Sequence, residues 1–179
     1  MFSILWTAIA FLLAREPYGY ADGTIGLFGL AGLAGALMAP VAGHLSDAGH
    51  GRRAVTGALL VLVVSWVPLD LGGTSLVALL VGIVALDFAV QALQITNQGA
   101  IYALRPDARS RITTAFMVSV FLGGIGGSVS ASLVWGAGGW DAVCILGAGV
   151  ALFALSAWTW WSWTATRRAG RDGPAIADG

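Results

Sequence analysis

SLVALLVGIVALDFAVQALQITNQGAIYAL, residues 75–104, is the stretch whose reading decides the fold. From Leu76 to Leu86 every residue is apolar or glycine, and only then do Asp87, Gln91, Gln94 and Gln98 appear. A bilayer core of about 30 Å takes roughly 20 helical residues, so this run is long enough to cross one. The four polar residues follow i, i+4, i+7, i+11, which confines them to an arc of about 60° at 100° per residue. Asp87 stands about a dozen residues into the helix, near the bilayer midplane. A charged carboxylate there costs at least about 2.5–3.5 kcal/mol on insertion scales, so it should face a bundle interior or a wet cavity. The same cost makes taking up and releasing a proton a physically available role. The competing assignment is a structural aspartate, hydrogen-bonded to a Ser or Thr of a neighbouring helix. Gln94, Asn97 and Gln98 lie nearer the arginines that follow the run. There they either line a vestibule or face headgroups.

The chain around this run has the same character. Of its 179 residues 58% are hydrophobic and 10% charged, against roughly 45–50% and about 25% in soluble domains. Lipid is therefore the expected solvent. Further apolar runs occupy 1–14, 24–45, 54–71, 112–135 and 142–163. None shows the period of two expected of a membrane barrel, and helices satisfy their own backbone hydrogen bonds in lipid. The fold expected is thus all-α, with six transmembrane helices over 1–163 and a disordered cytoplasmic tail over 164–179. Run one is short: fourteen residues rise only about 21 Å. It reads as a helix whose first third is missing, with Met1 as an internal start or a trimmed end.

Arginine placement gives the orientation. Arg52 and Arg53 follow run two; Arg105, Arg109 and Arg111 follow run four; Arg167, Arg168 and Arg171 follow run six. With six crossings these all fall on one side, which the positive-inside rule assigns to the cytoplasm together with both termini. The expected location is a bacterial inner membrane. Trp158, Trp160, Trp161 and Trp163 then form an aromatic belt at the inner interface, and Trp135 and Trp140 serve as anchors at the outer one.

Runs two and five are rich in small residues. Ala31, Gly35, Ala39 and Gly43 recur every four positions, and Gly123 and Gly127 form a G-x-x-x-G pair. Such faces let helix backbones approach closely, either within the bundle or against a partner. Between runs two and three, Asp47 precedes Arg52 and Arg53, an arrangement able to form a cytoplasmic ion pair. A tight glycine-rich turn carrying positive-inside arginines accounts for the same residues. His44 and His50 lack carboxylate partners at ligand spacing, and Cys144 is the sole cysteine, so no metal site or disulfide is indicated. No cofactor is implied. Balanced charge gives no reason to expect nucleic-acid binding. The absence of a nucleophile elbow, an H-E-x-x-H or a phosphate loop argues against an enzyme.

The loop Gly43-x-Leu45-x-Asp47 followed by Gly51-Arg52-Arg53 resembles the signature that the major facilitator superfamily carries between helices two and three and repeats between eight and nine. Ala48 stands where that family usually has a basic residue. The segments Pro17-Tyr18-Gly19-Tyr20, Asn97-Gln98 with Ile101–Arg111, and Gly138-Gly139-Trp140 resemble helix junctions of its drug and sugar efflux members. The resemblance implies that the six runs are helices seven to twelve, the C-terminal half of a bundle made of inverted three-helix repeats. It further implies proton-coupled efflux of a small molecule by alternating access. Asp87, Gln91, Gln94, Asn97 and Gln98 would lie on the substrate and proton pathway, and Gly43, Asp47, Arg52 and Arg53 in the gating loop. Gly35, Ala39, Gly123 and Gly127 would lie at the interface between halves. The partners implied are the lipid bilayer, a small-molecule substrate, and a missing N-terminal half in the same or a separate chain, or a second copy. The alternative is a half-size membrane protein that acts as a partner subunit or a non-transporting scaffold.

Overall fold

The computed structural model describes residues 1–30, 32, 51–104 and 109–169. Six helices account for most of them: α1 (Phe2–Leu13), α2 (Asp22–Leu27), α3 (Gly51–Val64), α4 (Trp66–Leu71), α5 (Leu76–Leu104) and α6 (Arg109–Ala169). No strand occurs among the described residues. Three helical stretches are long and apolar enough to cross a membrane: Gly51–Leu71, Leu76–Tyr102 and Ser110–Ala165. α1 is apolar but shorter, in keeping with the short first run. Most of run two, including Gly35, Ala39, Gly43 and Asp47, lies outside the described residues.

The third run is one helix locally broken at Ser65, between α3 and α4. Pro68 explains the break: it has no N–H to donate to the carbonyl of Val64 and its ring crowds that carbonyl. Ser65 Oγ donates instead to the Leu62 carbonyl at 2.8 Å, and helical bonding resumes from the Leu69 N–H to the Ser65 carbonyl at 3.2 Å.

Runs five and six form the two arms of α6. Its regular backbone fails at Gly138 (φ −152°, ψ 16°) and Gly139 (φ 64°, ψ −147°). The positive φ of Gly139 is one that L side chains rarely adopt. Contacts on either side show that the chain reverses there. On the first arm Thr7 Oγ1 donates to Ser128 Oγ at 3.0 Å, and the rings of Phe11 and Trp135 lie 5.6 Å apart, so this arm runs parallel to α1. On the second arm Trp140 Nε1 donates to the Leu69 carbonyl, Trp158 Nε1 to Thr56 Oγ1, and Arg52 Nη2 to the Ser162 carbonyl, each at 2.9 Å. Rising numbers on α6 meet falling numbers on α3 and α4, so this arm is antiparallel to them. The second arm continues to Ala169, beyond the boundary expected at 163. Arg167 supports the added turn by lying 3.5 Å over the Trp163 ring, one helical turn back.

Arg52, Arg167 and the Trp158–Trp163 cluster therefore share one end of the molecule. The other end gathers Arg15, Tyr18, Gly72, Trp135 and Trp140, with the Tyr18 hydroxyl donating to the Gly72 carbonyl at 2.7 Å. Trp140 corrects an expectation. It is 6% exposed, and its ring and hydrogen bond are spent inside the protein rather than at an interface. Gly73 makes room for it: a Cβ at that position would lie 3.2 Å from the Trp140 ring. Trp158 is likewise partly buried, whereas Trp160, Trp161 and Trp163 face outward.

The core runs through α1, α3, α4, α5 and α6. Leu62, Leu69, Leu79, Ile83, Leu86 and Val143 are fully buried there. Two glycines permit the closeness. A Cβ on Gly82 would stand 2.6 Å from Leu69 Cγ, and a Cβ on Gly147 would stand inside the Trp66 ring. Small residues of this kind allow helices to pack by van der Waals contact when lipid offers no hydrophobic drive. The outside is apolar, with Val77, Leu133, Ile145 and Phe153 all more than two-thirds exposed. Soluble monomers rarely expose contiguous apolar surface on this scale, and a bilayer requires it.

Candidate functional site

Asp87 is the twelfth of the 29 residues of α5, and it is 2% exposed. Across from it, Trp6 of α1 donates its indole N–H to Asp87 Oδ1 at 3.3 Å. The second oxygen, Oδ2, is buried without a hydrogen-bond partner among the described residues. Gly32 lies against that oxygen, so that a Cβ there would stand 2.7 Å from Oδ2 and 3.0 Å from Trp6 Cζ2. A buried carboxylate with one oxygen unsatisfied departs from the usual pairing of buried polar groups, and such groups mark sites.

Asp87 opens on a cavity of about 890 Å³ between α1, α5 and the first arm of α6. Gln91 and Gln94 line it from α5, Phe2, Ser3 and Trp6 from α1, and Ser119, Val120, Gly123 and Gly124 from α6. The volume suits a drug-sized molecule, and the lining combines apolar surface with a few convergent polar groups, as small-molecule sites do.

The polar stripe read from the sequence thus divides by depth. Asp87, Gln91 and Gln94 meet at this cavity. Asn97 is exposed and borders a second cleft of about 490 Å³ with Val55, Leu59, Trp158 and Trp161. Gln98 is partly buried and lines neither. Arg52 is exposed and bonded to the Ser162 carbonyl, and Arg53 is exposed. Gly43 and Asp47 lie outside the described residues, as do Gly35 and Ala39. Of the glycine pair, Gly123 faces the cavity with nothing within 4 Å of a Cβ built on it. Gly127 faces α1, where a Cβ would meet Ile4 Cγ1 at 3.4 Å. No group of three His, Cys, Asp or Glu side chains that could hold a metal occurs among the described residues.

Two members of the site went unread in the sequence. Trp6 is separated from Asp87 by 81 positions, and no periodicity marks such a pair. A usable signal was nonetheless present, since a tryptophan in mid-run rather than at a membrane interface needs a partner for its N–H. Gly32 was one glycine among many, and its neighbour across the cavity was not visible from its own run.

Comparison with known proteins places this geometry. The model of the Major Facilitator Superfamily matches residues 1–178. The "Uncharacterized transporter YgaY" of Escherichia coli O157:H7 is 51% identical over 157 residues, covering 88% of this chain and 40% of that protein. The "Probable transporter SCO4007" of Streptomyces coelicolor is 36% identical over 166 residues, covering 92% of this chain and 36% of that protein. The chain thus spans about two-fifths of the length of these curated relatives. No solved structure matches it. An all-helical apolar bundle, a buried carboxylate on a central cavity and a family match from one end to the other lead to one assignment: the chain belongs to the major facilitator superfamily of membrane transporters.

Proposed function

We propose that this chain forms the C-terminal, six-helix half of a secondary transporter that moves a small molecule by alternating access, with proton-coupled efflux as its mode. The observation that carries this reading is the carboxylate of Asp87, buried and half-satisfied, opening with Gln91 and Gln94 on the 890 Å³ cavity. A group in that position can take a proton when the cavity faces one side of the membrane and release it when it faces the other, because its charged form is costly wherever water is excluded. Trp6 holds the carboxylate toward the cavity. The expected setting is a bacterial inner membrane, with the arginine-bearing end and both termini in the cytoplasm. The bundle covers 1–163, with helical continuation to Ala169. The remaining wall of the cavity comes from an N-terminal half in the same or a separate chain, or from a second copy.

Substrate-induced proton flux in everted membrane vesicles tests this. A panel of candidate compounds is added to vesicles carrying a transport-competent assembly, and release of a preformed pH gradient is followed. Asp87→Asn is expected to abolish the flux while leaving membrane insertion intact. Unchanged flux in that variant would remove Asp87 from the coupling path. No flux with any compound from the unsubstituted assembly would favour the non-transporting scaffold.

A further inference from the structure

We infer that Gly32 is a positioning residue for Asp87: lacking a side chain, it packs against Oδ2 and seats that oxygen beside the Trp6 indole, shut off from the cavity. This rests on the reading of Asp87 given above and adds the residue that keeps its carboxyl from water in this arrangement.

Three observations carry the inference. First, Asp87 lines the cavity, yet its Oδ2 is buried and has no hydrogen-bond partner among the described residues. A buried polar oxygen gains from water whenever water reaches it, so something must hold Oδ2 out of reach. Second, Gly32 is what lies there. A Cβ on it would stand 2.7 Å from Oδ2, closer than real Cβ atoms come, and 3.0 Å from Trp6 Cζ2. Gly23, Gly26 and Gly29 of the same stretch meet nothing within 4 Å of a Cβ. A methyl group is thus accommodated at those three positions, whereas residue 32 must be glycine for the carboxyl to sit where it does. Third, the carboxyl is the movable partner in this contact. Oδ2 is the far end of a flexible side chain, and Oδ1 is held by one long bond of 3.3 Å. The Trp6 indole is the stiffer side, its ring against that of Phe2 with centroids 6.0 Å apart. A methyl group at position 32 would therefore displace the carboxyl, and the cavity is where it has room to go. The fold is kept and the seat is lost. Alternating access gives the seat a purpose. A carboxyl that meets water in one arrangement and not in another can carry a proton across, whereas one that always meets water returns it to the side it came from.

The test is carbodiimide labelling of the full chain in lipid nanodiscs, where both membrane faces are reachable. A water-soluble carbodiimide takes the carboxyl proton on nitrogen and bonds a carboxyl oxygen to its central carbon. Added glycine methyl ester then displaces the urea, leaving an amide that mass spectrometry assigns to its residue. Rates at Asp87 are divided by those at Glu16 and Asp22, which are exposed, so differences between preparations cancel. Labelling is read on the monodisperse fraction, in which the buried Cys144 must stay unreactive to maleimide. That condition separates loss of the seat from general loosening of the fold. The unsubstituted chain is expected to be labelled slowly at Asp87, and Gly32→Ala to raise that rate at least about tenfold. Gly26→Ala, which adds the same methyl group in open space, should leave it unchanged. Asp87→Glu approaches the seat from the other side. With one more methylene its carboxyl does not fit beside Gly32, so it should be labelled as fast as Asp87 in the Gly32→Ala chain, and it decides the matter if that chain does not fold. Rapid labelling of Asp87 in the unsubstituted chain would overturn the seat. No rise in a folded Gly32→Ala chain would overturn the positioning role of Gly32, whatever the flux assay returns for Asp87→Asn.

Discussion

α5 is packed by chemically different neighbours on two adjacent sides, roughly 80° apart round the helix. On one side Leu79, Ile83 and Leu86 disappear completely against α3 and α4, and Gly82 lets Leu69 touch the helix itself. On the other, Asp87, Gln91 and Gln94 border the large cavity, with one tryptophan N–H as the interhelical bond to the carboxylate. The first side is a close-packed joint, where each methyl-sized change is felt. The second has room for a ligand and carries an oxygen with no hydrogen-bond partner among the described residues. The contrast teaches a division of labour along a single helix: the dry side keeps α3 to α5 and the second arm of α6 as one body, and the polar side is left free to bind.

That division is broken most severely at the joint. Gly147→Leu drives a side chain into the space held by the Trp66 ring. The expected loss is about 3 kcal/mol, at the upper end of overpacking effects, seen as a large fall in the temperature at which the detergent-solubilised protein loses monodispersity. Trp140→Phe keeps the ring and removes only the N–H bonded to the Leu69 carbonyl. That carbonyl still accepts from the Gly72 N–H at 2.9 Å, so the same assay should register a loss of only about 1 kcal/mol. On the polar side the sign changes. Asp87→Asn removes a buried charge with an unsatisfied oxygen, so thermal stability is expected to stay level or rise even as proton-linked flux is lost. A marked loss of stability in that variant would make Asp87 a structural aspartate, the alternative weighed from the sequence.

Much of the dry side was legible in the sequence. The run expected over 75–104 is helical from Leu76 to Leu104, because hydrophobic length and local bonding set a membrane helix with little help from elsewhere. The polar stripe was legible too, since Asp87, Gln91 and Gln94 are neighbours on one helix. What could not be read is what crosses between helices. Trp140 was expected at an interface and lies in the core, because its partner carbonyl at Leu69 is 71 positions away. Trp6 met Asp87 in the same unseen manner. The break at Ser65 had a local cause in Pro68, yet a proline in an apolar run signals a disturbance without saying whether the helix ends or only bends. Here it bends.

Thiol labelling tests the contrast between the two sides most directly. In a Cys144→Ala background, Ile83→Cys, Gln91→Cys and Gln94→Cys are introduced singly into the chain in membranes and exposed to a membrane-impermeant maleimide. The account predicts rapid labelling of the Gln91→Cys and Gln94→Cys variants and none of the Ile83→Cys variant. Equal labelling of all three, or labelling confined to the Ile83→Cys variant, would contradict it.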